Sequence, residues 1–318
     1  MLEKIFKGPA GVRSGWRLLI FSAIAATIFF TIQFGLVVAG FSPDFSRGYP
    51  PTYIFVIESV EFLCAFFAAW VMSILETKRF PDYGLPARGA FGRQFWVGAV
   101  IGLVALSALL LGIHLGHGFY FGGLALGARG IFYFGVTWVV TFLAVGFAEE
   151  FLFRGYALAT LSDGIGFWPA AVVLSLLFGA VHLQNIGENP TGALSAGLVG
   201  LLFCFSLRRT GSLWFAIGLH AAWDYCESFI FSVPDSGALF QGHLLNSHFQ
   251  ASAPAWLTGG SVGPEGSVFV FIVLAILFVV VDRMYPEVRF PARSAAAEPN
   301  PPEADAIFSG PETVPEGD

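Results

Sequence analysis

Ionisable side chains within apolar sequence are the groups of this chain that could do chemistry. Residues 149–154 read EEFLFR, an E-E-x-x-x-R pattern. Glu150 and Arg154 are four residues apart, so on a helix they share one face and can pair. Glu149 lies about 100° away around the same helix and lacks that partner. Two interpretations stay open: Glu149 is a general base that takes a proton from water, or both acids share Arg154 in a structural cluster.

Two further patterns add imidazoles in later apolar segments. An F-x-x-x-H pattern ends at His182, and an H-x-x-x-D pattern runs from His220 to Asp224, which places that imidazole and carboxyl on one helical face. Taken singly, each pattern also fits a structural hydrogen bond inside the bundle. Together with the acidic pair they favour a functional site, because a membrane bundle rarely buries so many titratable groups without a use.

The three patterns, in this order, resemble the CAAX protease and bacteriocin-processing (CPBP) family of intramembrane endopeptidases. The stretch 211–224, GSLWFAIGLHAAWD, is similar to the third motif of that family with its upstream flank. The resemblance covers about residues 130–232. It implies hydrolysis of a peptide bond within the membrane, in a membrane-embedded or prenylated peptide.

The resemblance also implies a role for each catalytic residue. Glu149 would be the general base that activates water, and His182 would help to hold that water. His220 and Asp224 would stabilise the oxyanion, which is usually the largest electrostatic contribution in acyl transfer.

Asp224 is a departure, because many members of the family have Asn at this position. An ionised Asp would repel a developing oxyanion, so Asp224 is either neutral in its apolar setting or orients His220. We favour the orienting role. The resemblance further implies that Glu150 and Arg154 brace their helix.

A metal-assisted form of the same reaction stays open. Glu149, His182 and His220 supply the ligand types of a three-ligand catalytic zinc site. However, the H-E-x-x-H signature of many metalloendopeptidases is absent, and these residues come from three different helices. We therefore expect a reaction without a cofactor, with zinc as the alternative.

The elements that carry these residues are long apolar segments. The chain has 318 residues, of which 56% are apolar and 12% charged, whereas a soluble domain has about 25% charged residues. Apolar runs of roughly 18 or more residues recur, each able to cross a hydrocarbon core as a helix. The sequence predicts an all-α fold, a polytopic membrane helix bundle of about eight transmembrane helices. They lie near 15–40, 52–76, 95–116, 131–159, 167–184, 190–207, 211–232 and 267–285.

The distribution of basic residues predicts the orientation of this bundle. With the N-terminus in the cytoplasm, all of the sixteen Lys and Arg residues except Arg47 and Arg129 fall on the cytoplasmic side. We expect a multi-pass protein of the cell membrane with cytoplasmic N- and C-termini. Residues 1–285 would form the bundle, and residues 286–318, rich in Pro and Glu, a disordered cytoplasmic tail. The expected partners are membrane lipid and a peptide or lipopeptide substrate, and no nucleic acid.

Straight helices would separate two of the predicted catalytic residues. Glu149 would lie near the cytoplasmic end of its helix and His182 near the outer end of the next. We expect the connector 160–166 to be irregular backbone at membrane depth, which would bring the two side chains within about 6 Å. Segment 233–266 is long for a bundle loop and could cover the site. Glu265 would suit the dipole of the last helix rather than do chemistry.

A non-catalytic membrane protein is the alternative. A scaffold, an immunity factor or a transporter could use the same buried residues. Glu58 and Glu61, three residues apart in the second predicted helix, keep this alternative open. A continuous polar path from them to His220 would favour transport, whereas a closed cavity open on one side would favour a protease.

Overall fold

The computed structural model describes residues 6–8 and 11–290, so the predicted tail lies outside the described residues from position 291 onward. The fold is mostly helical, as the apolar segments predicted. The α-helices are α1 Ser14–Val38, α2 Pro51–Leu75, α3 Arg93–Leu115, α4 Ala128–Arg154, α5 Tyr156–Ile165, α6 Phe167–His182, α7 Pro190–Thr210, α8 Trp214–Asp224, α9 Ala255–Thr258 and α10 Val268–Met284.

Several short elements complete the fold. Helix α8 continues directly into a π-helical segment, Tyr225–Ile230. Two 3₁₀ turns, Phe80–Tyr83 and Pro264–Gly266, lie in connections between helices. Four two-residue strands form two antiparallel pairs: Lys7–Gly8 with Gly11–Val12, and Phe119–Tyr120 with His248–Phe249.

The number of spans is confirmed only in part. Five helical segments of the described chain are long and apolar enough to cross a membrane: α1, α2, α3, α7 and the combined segment Ala128–Ile165. Helices α6 and α10 have 16 and 17 residues. At a rise of 1.5 Å per residue, 17 residues reach only about 26 Å, less than a hydrocarbon core of about 30 Å.

The outward faces of the long helices are apolar. Phe34 of α1 is 71% exposed, Phe132 of α4 is 74% exposed and Leu176 of α6 is 65% exposed. So much exposed apolar surface is unfavourable in water and suits hydrocarbon. Helix length and surface together indicate a membrane protein.

The predicted irregular connector 160–166 was wrong. Helix α4 ends at Arg154 because Gly155 takes a non-helical ψ of −116°. The chain then resumes as α5, which runs through most of the predicted connector to Ile165 before Gly166 ends it with a φ of +83°. No proline interrupts this stretch, so its backbone keeps helical hydrogen bonds.

A polar cluster holds α5 against the first two helices. Arg17 Nε donates to Glu76 Oε1 at 2.8 Å, and the hydroxyl of Tyr156 donates to the same carboxylate. Arg17 Nη1 also pairs with Asp163 Oδ2 at 3.1 Å, and Lys78 lies 2.5 Å from that oxygen. These contacts fix where the chain turns back after α4.

Helices α3 and α8 approach closely through glycines. A Cβ at Gly98 would lie 2.1 Å from the carbonyl oxygen of Phe215, and one at Gly102 would lie 2.3 Å from that of Leu219. Small residues allow helix backbones to approach in this way. Because His220 follows Leu219 directly, this contact with α3 fixes the backbone beside it.

We predict that Gly102→Ala lowers thermal stability, because the new methyl group clashes with backbone of α8 and overpacking costs about 1–3 kcal/mol. Gly112→Ala on the same helix is the matched control, since its Cβ would meet only the ring of Phe269 at 3.9 Å. Thermal unfolding of the purified protein in detergent measures both variants. Equal unfolding midpoints would contradict the close helix packing.

Candidate active site

Arg154 and Glu150 form a fully buried ion pair at the end of α4. Arg154 Nη1 lies 3.2 Å from Glu150 Oε1, and both side chains are 0% exposed. The guanidinium also lies over the ring of Phe178, 4.1 Å from its centroid, with Phe203 on another side at 5.5 Å. Aromatic faces attract a desolvated cation. The pairing expected from the four-residue spacing is therefore present.

His220 of α8 faces carboxylates with both ring nitrogens. Its Nδ1 lies 3.0 Å from Glu150 Oε1. Its Nε2 lies 3.7 Å from Glu149 Oε2 and 3.6 Å from Asp224 Oδ2. A guanidinium can only donate, so Glu150 Oε1 accepts a hydrogen bond from Arg154. The same oxygen accepts a second one from His220, whose Nδ1 therefore carries a hydrogen. One histidine thus links the two neighbouring glutamates of α4 to the acid of its own helix.

The closest contact that orients His220 comes from Glu150, whereas the spacing favoured Asp224. Asp224 Oδ2 lies 3.6 Å from Nε2, beyond the range of a good hydrogen bond. The difference arises because α4 packs against α8 and brings Glu150 to the opposite ring nitrogen. Glu150 consequently accepts from both Arg154 and His220. Asp224 lies on the Nε2 side of the ring, where it can contact a bound group instead.

His182, the last residue of α6, is held in one tautomer. Its Nδ1 lies 2.7 Å from the carbonyl oxygen of Phe178. A carbonyl can only accept, so Nδ1 carries the hydrogen. In the neutral ring Nε2 is then an acceptor. The ring of Phe178 packs beside the imidazole, with centroids 4.6 Å apart.

One cavity of about 540 Å³ brings the predicted catalytic residues together. Its lining includes Glu149, His182, His220 and Asp224. A second cavity of about 280 Å³ also borders Glu149 and His182, and reaches Glu61. Helices α4, α6 and α8 therefore present their polar groups to a common space. The predicted approach of Glu149 to His182 within about 6 Å stays a prediction.

The three zinc-ligand candidates are not gathered into a metal site. Within residues 6–8 and 11–290, three potential ligand atoms come within 4.8 Å of one another only at Glu227, Asp235 and Glu265. Glu149, His182 and His220 form no such group in this part of the chain. This arrangement does not fit a three-ligand catalytic zinc ion.

Loop residues also line the larger cavity, although no pattern in the sequence indicated them. Asp235 and Ser236 face it from the segment after α8, as expected for a loop that covers the site. Burial raises the pKa of Asp235 well above its ordinary value, and the nearby Asp224 carboxyl raises it further. Only the length of segment 233–266 hinted at such a role.

Glu265 lies just before the last helix, as expected, but its carboxylate contacts side chains rather than that helix end. Glu265 lies in the turn Pro264–Gly266, before α10 begins, and its carboxylate faces the cavity. It accepts hydrogen bonds from Trp223 Nε1 at 3.1 Å and from the hydroxyl of Ser236 at 2.7 Å. The long preceding loop folds back over α8, so the glutamate meets side chains rather than only a helix end.

The two acids of α2 border different cavities. Glu58 lines the larger cavity, and its Oε2 is buried without a hydrogen-bond partner among the described residues. Glu61 lines the smaller cavity, beside Glu149. Helix α2 therefore places one acid in each of the two cavities that Glu149, the predicted base, also borders.

The fold and the site together define a helical membrane protein with a cavity that is lined by acids and imidazoles. Residues 131–226 match the family model described as type II CAAX prenyl endopeptidase Rce1-like. This match confirms the family resemblance of the three motifs, and it supports a protease of the CAAX endopeptidase type. The matched segment contains Glu149, His182, His220 and Asp224. A comparison with curated proteins found none that matches the chain.

We predict unequal stability effects at the two neighbouring glutamates. Glu150→Gln removes the charge that Arg154 and His220 share, and breaking a buried pair costs about 3–5 kcal/mol. Glu149→Gln should unfold near the parental temperature, because Glu149 Oε2 has no hydrogen-bond partner among the described residues. Thermal unfolding in detergent compares the two isosteric variants. An equal loss of stability in both would contradict the separate roles.

Proposed function

We propose that the protein is an intramembrane endopeptidase that hydrolyses a peptide bond with water activated by Glu149. The observation that carries this proposal is the convergence of Glu149, His182 and His220 on one cavity, with Glu149 Oε2 3.7 Å from His220 Nε2. The family match over residues 131–226 supports it. The scaffold, immunity-factor and transporter alternatives have no comparable support.

Water activation is the first step of the proposed mechanism. Glu149 accepts a proton from water as the water oxygen attacks the peptide carbonyl carbon. His182 holds the same water, because its Nε2 is free to accept the second O–H. The proton on Glu149 then passes to the amine nitrogen as the C–N bond breaks. The products are a carboxylic acid and a free amine.

Oxyanion stabilisation is the second part of the mechanism. His220 with Nε2 protonated is a cation that donates toward the developing charge, and Glu150 holds the other ring nitrogen. The two cations of the site, Arg154 and this imidazolium, balance Glu149 and Glu150. Asp224 is then a neutral acid that donates a second hydrogen bond.

The proposed substrate is a membrane-embedded or prenylated peptide, or a lipopeptide. One wall of the smaller cavity, beside Glu149, consists of apolar side chains of α4 and α6, among them Leu152, Phe153 and Val181. Such a wall suits a hydrocarbon chain or an apolar helix. The larger cavity has room for the peptide around the scissile bond.

The proposed topology is a multi-pass protein of the cell membrane with eight spans and cytoplasmic termini. The short helices α6 and α10, and α8 together with its π-helical continuation, would complete the five longer spans as shorter crossings of the membrane. The connections that line the larger cavity, such as residues 45–49 and 184–186, join helix ends opposite those that carry most of the basic residues. The positive-inside rule then places this side of the cavity outside the cytoplasm.

The reaction as proposed uses no cofactor. Zinc would supply an activated water if it were bound, but the three candidate ligands do not fit a common ion in the described arrangement. Zinc analysis of active protein, after treatment with a chelator selective for transition metals, tests this point. One zinc per chain that is required for cleavage would contradict it.

We predict that Glu149→Ala and His220→Ala each reduce peptide cleavage by at least about 100-fold, the usual contribution of a general base or an oxyanion donor. The assay uses fluorogenic peptides and lipopeptides with protein in liposomes. Glu287→Gln is the control, because that acid is exposed and, among the described residues, pairs with Arg289 far from the cavity lining. Equal background turnover in all four proteins, with folding retained, would favour the non-catalytic alternative.

Asp224→Asn should retain substantial cleavage, within about tenfold of the parent, a barrier change of about 1.4 kcal/mol. An amide N–H can replace the hydrogen bond that a neutral Asp224 donates. Asp224→Leu, which has no donor, should lose much more. The two variants are compared by initial cleavage rates at matched thermal stability. Complete loss in Asp224→Asn would contradict a donor role.

A further inference from the structure

A cluster of three carboxylates lies beside the larger cavity and takes no part in the proposed hydrolysis. Glu227, Asp235 and Glu265 each offer an oxygen, and these oxygens lie within 4.8 Å of one another. Glu227 belongs to the π-helical segment after α8, Asp235 to the following loop and Glu265 to the turn before α10. Three separate parts of the fold thus bring like charges to one point.

Glu227 is the member of this acidic cluster that most needs a partner. Its side chain is 0% exposed, and neither carboxylate oxygen accepts a hydrogen bond of good geometry among the described residues; the indole of Trp223, which donates to Glu265, is the donor beside it. A buried carboxylate without a partner is strongly unfavourable. Glu227 also belongs to the π-helical turns that end this helix, and π-helical turns are frequent at functional sites. Both features point to a ligand that binds here.

The groups around the cluster are neutral donors. Trp223 Nε1 and Ser236 donate to Glu265, and Ser228 Oγ donates to Asp235 Oδ2 at 3.0 Å. The ion pairs found within the described part of the chain do not include any of the three acids. The cluster therefore has hydrogen bonds that position two of its carboxylates, but no ion-paired cation to balance them.

We propose that Glu227, Asp235 and Glu265 bind a calcium ion. The donor set contains only oxygen, which selects a hard cation rather than zinc. Three carboxylate oxygens that come from separate segments and lie within 4.8 Å of one another suit the flexible coordination of Ca²⁺ better than the strict octahedron of Mg²⁺. Asp235 and Glu265 line the cavity, which gives the ion and its remaining water ligands a path.

The ion would fasten the loop that covers the cavity. Asp235 begins the stretch 235–240 that lines the cavity, and Gly237 N donates to the carbonyl of Val262 at 2.9 Å. Through Asp235 and Glu265, calcium would join the start and the end of segment 233–266 to the π-helical continuation of α8, the helix that carries His220. On the proposed topology the site lies outside the cytoplasm. Extracellular calcium modules have dissociation constants of about 10⁻⁴–10⁻³ M. The binding site itself does not depend on the protease proposal.

Calcium titration of the full chain in detergent tests the site. After chelator treatment, Ca²⁺ at about 100-fold above its dissociation constant should raise the unfolding midpoint by about 5 °C. Tb³⁺, a luminescent substitute for Ca²⁺, should be sensitised by Trp223, whose indole donates to Glu265. Ca²⁺ should displace it, and Trp223→Phe should weaken the signal. Mg²⁺ should have a much smaller effect than Ca²⁺.

Two variants and one control make the result specific. Glu227→Gln and Asp235→Asn should each abolish the calcium shift, whereas Glu287→Gln should keep it in full. If Glu227→Gln fails to fold, Asp235→Asn still tests the site, because Asp235 is partly exposed to the cavity and its replacement leaves the buried Glu227 in place. No calcium shift in the parent, or the same shift in both cluster variants, would overturn the proposal. Stabilisation by acid alone, without any effect of Ca²⁺, would assign the cluster to shared protons and also overturn it.

Discussion

The packing of α4 against α8 depends on one buried carboxylate, Glu150, which accepts hydrogen bonds from Arg154 and His220. Glu150 is 0% exposed, and its Oε1 lies 3.2 Å from Arg154 Nη1 and 3.0 Å from His220 Nδ1. In an apolar interior neither the acid nor the guanidinium is tolerable alone. Helix α4 must therefore keep its polar face toward α8, and this requirement also places Glu149 at the cavity.

The rest of the bundle secures that contact from several sides. Helix α3 approaches α8 through Gly98 and Gly102, which fixes the backbone beside His220. Phe178 of α6 covers the guanidinium of Arg154 and, with its carbonyl, holds Nδ1 of His182. The same phenylalanine thus couples the ion pair to the second imidazole. Phe178 therefore both packs against the charge of Arg154 and fixes the tautomer of His182.

Apolar run lengths and local spacing made part of this structure predictable. The run predicted at 52–76 is the helix Pro51–Leu75, because its ends follow from composition and from Pro50 and Pro51. The Glu150–Arg154 pair follows from the geometry of a single helix. In each case the relevant information lies within a few consecutive residues.

Contacts between distant segments were not predictable in the same way. The bond from His220 to Glu150 joins residues 70 positions apart and depends on how α4 and α8 pack. Glu265 reaches the cavity only because a long loop without periodicity folds back over α8. The span count was also uncertain, since α6 is apolar but has only 16 residues. Local pattern fixes the helices, whereas tertiary packing decides which polar groups meet.

A structure of the protein with a phosphonate peptide, an analogue of the tetrahedral intermediate, tests the central claim most directly. The account predicts one phosphonate oxygen between Glu149 and His182 and the other within about 3 Å of His220 Nε2. Nδ1 of His220 should keep its contact with Glu150. An analogue bound in the cavity with its phosphorus away from Glu149, or with His220 turned from Glu150, would contradict the account.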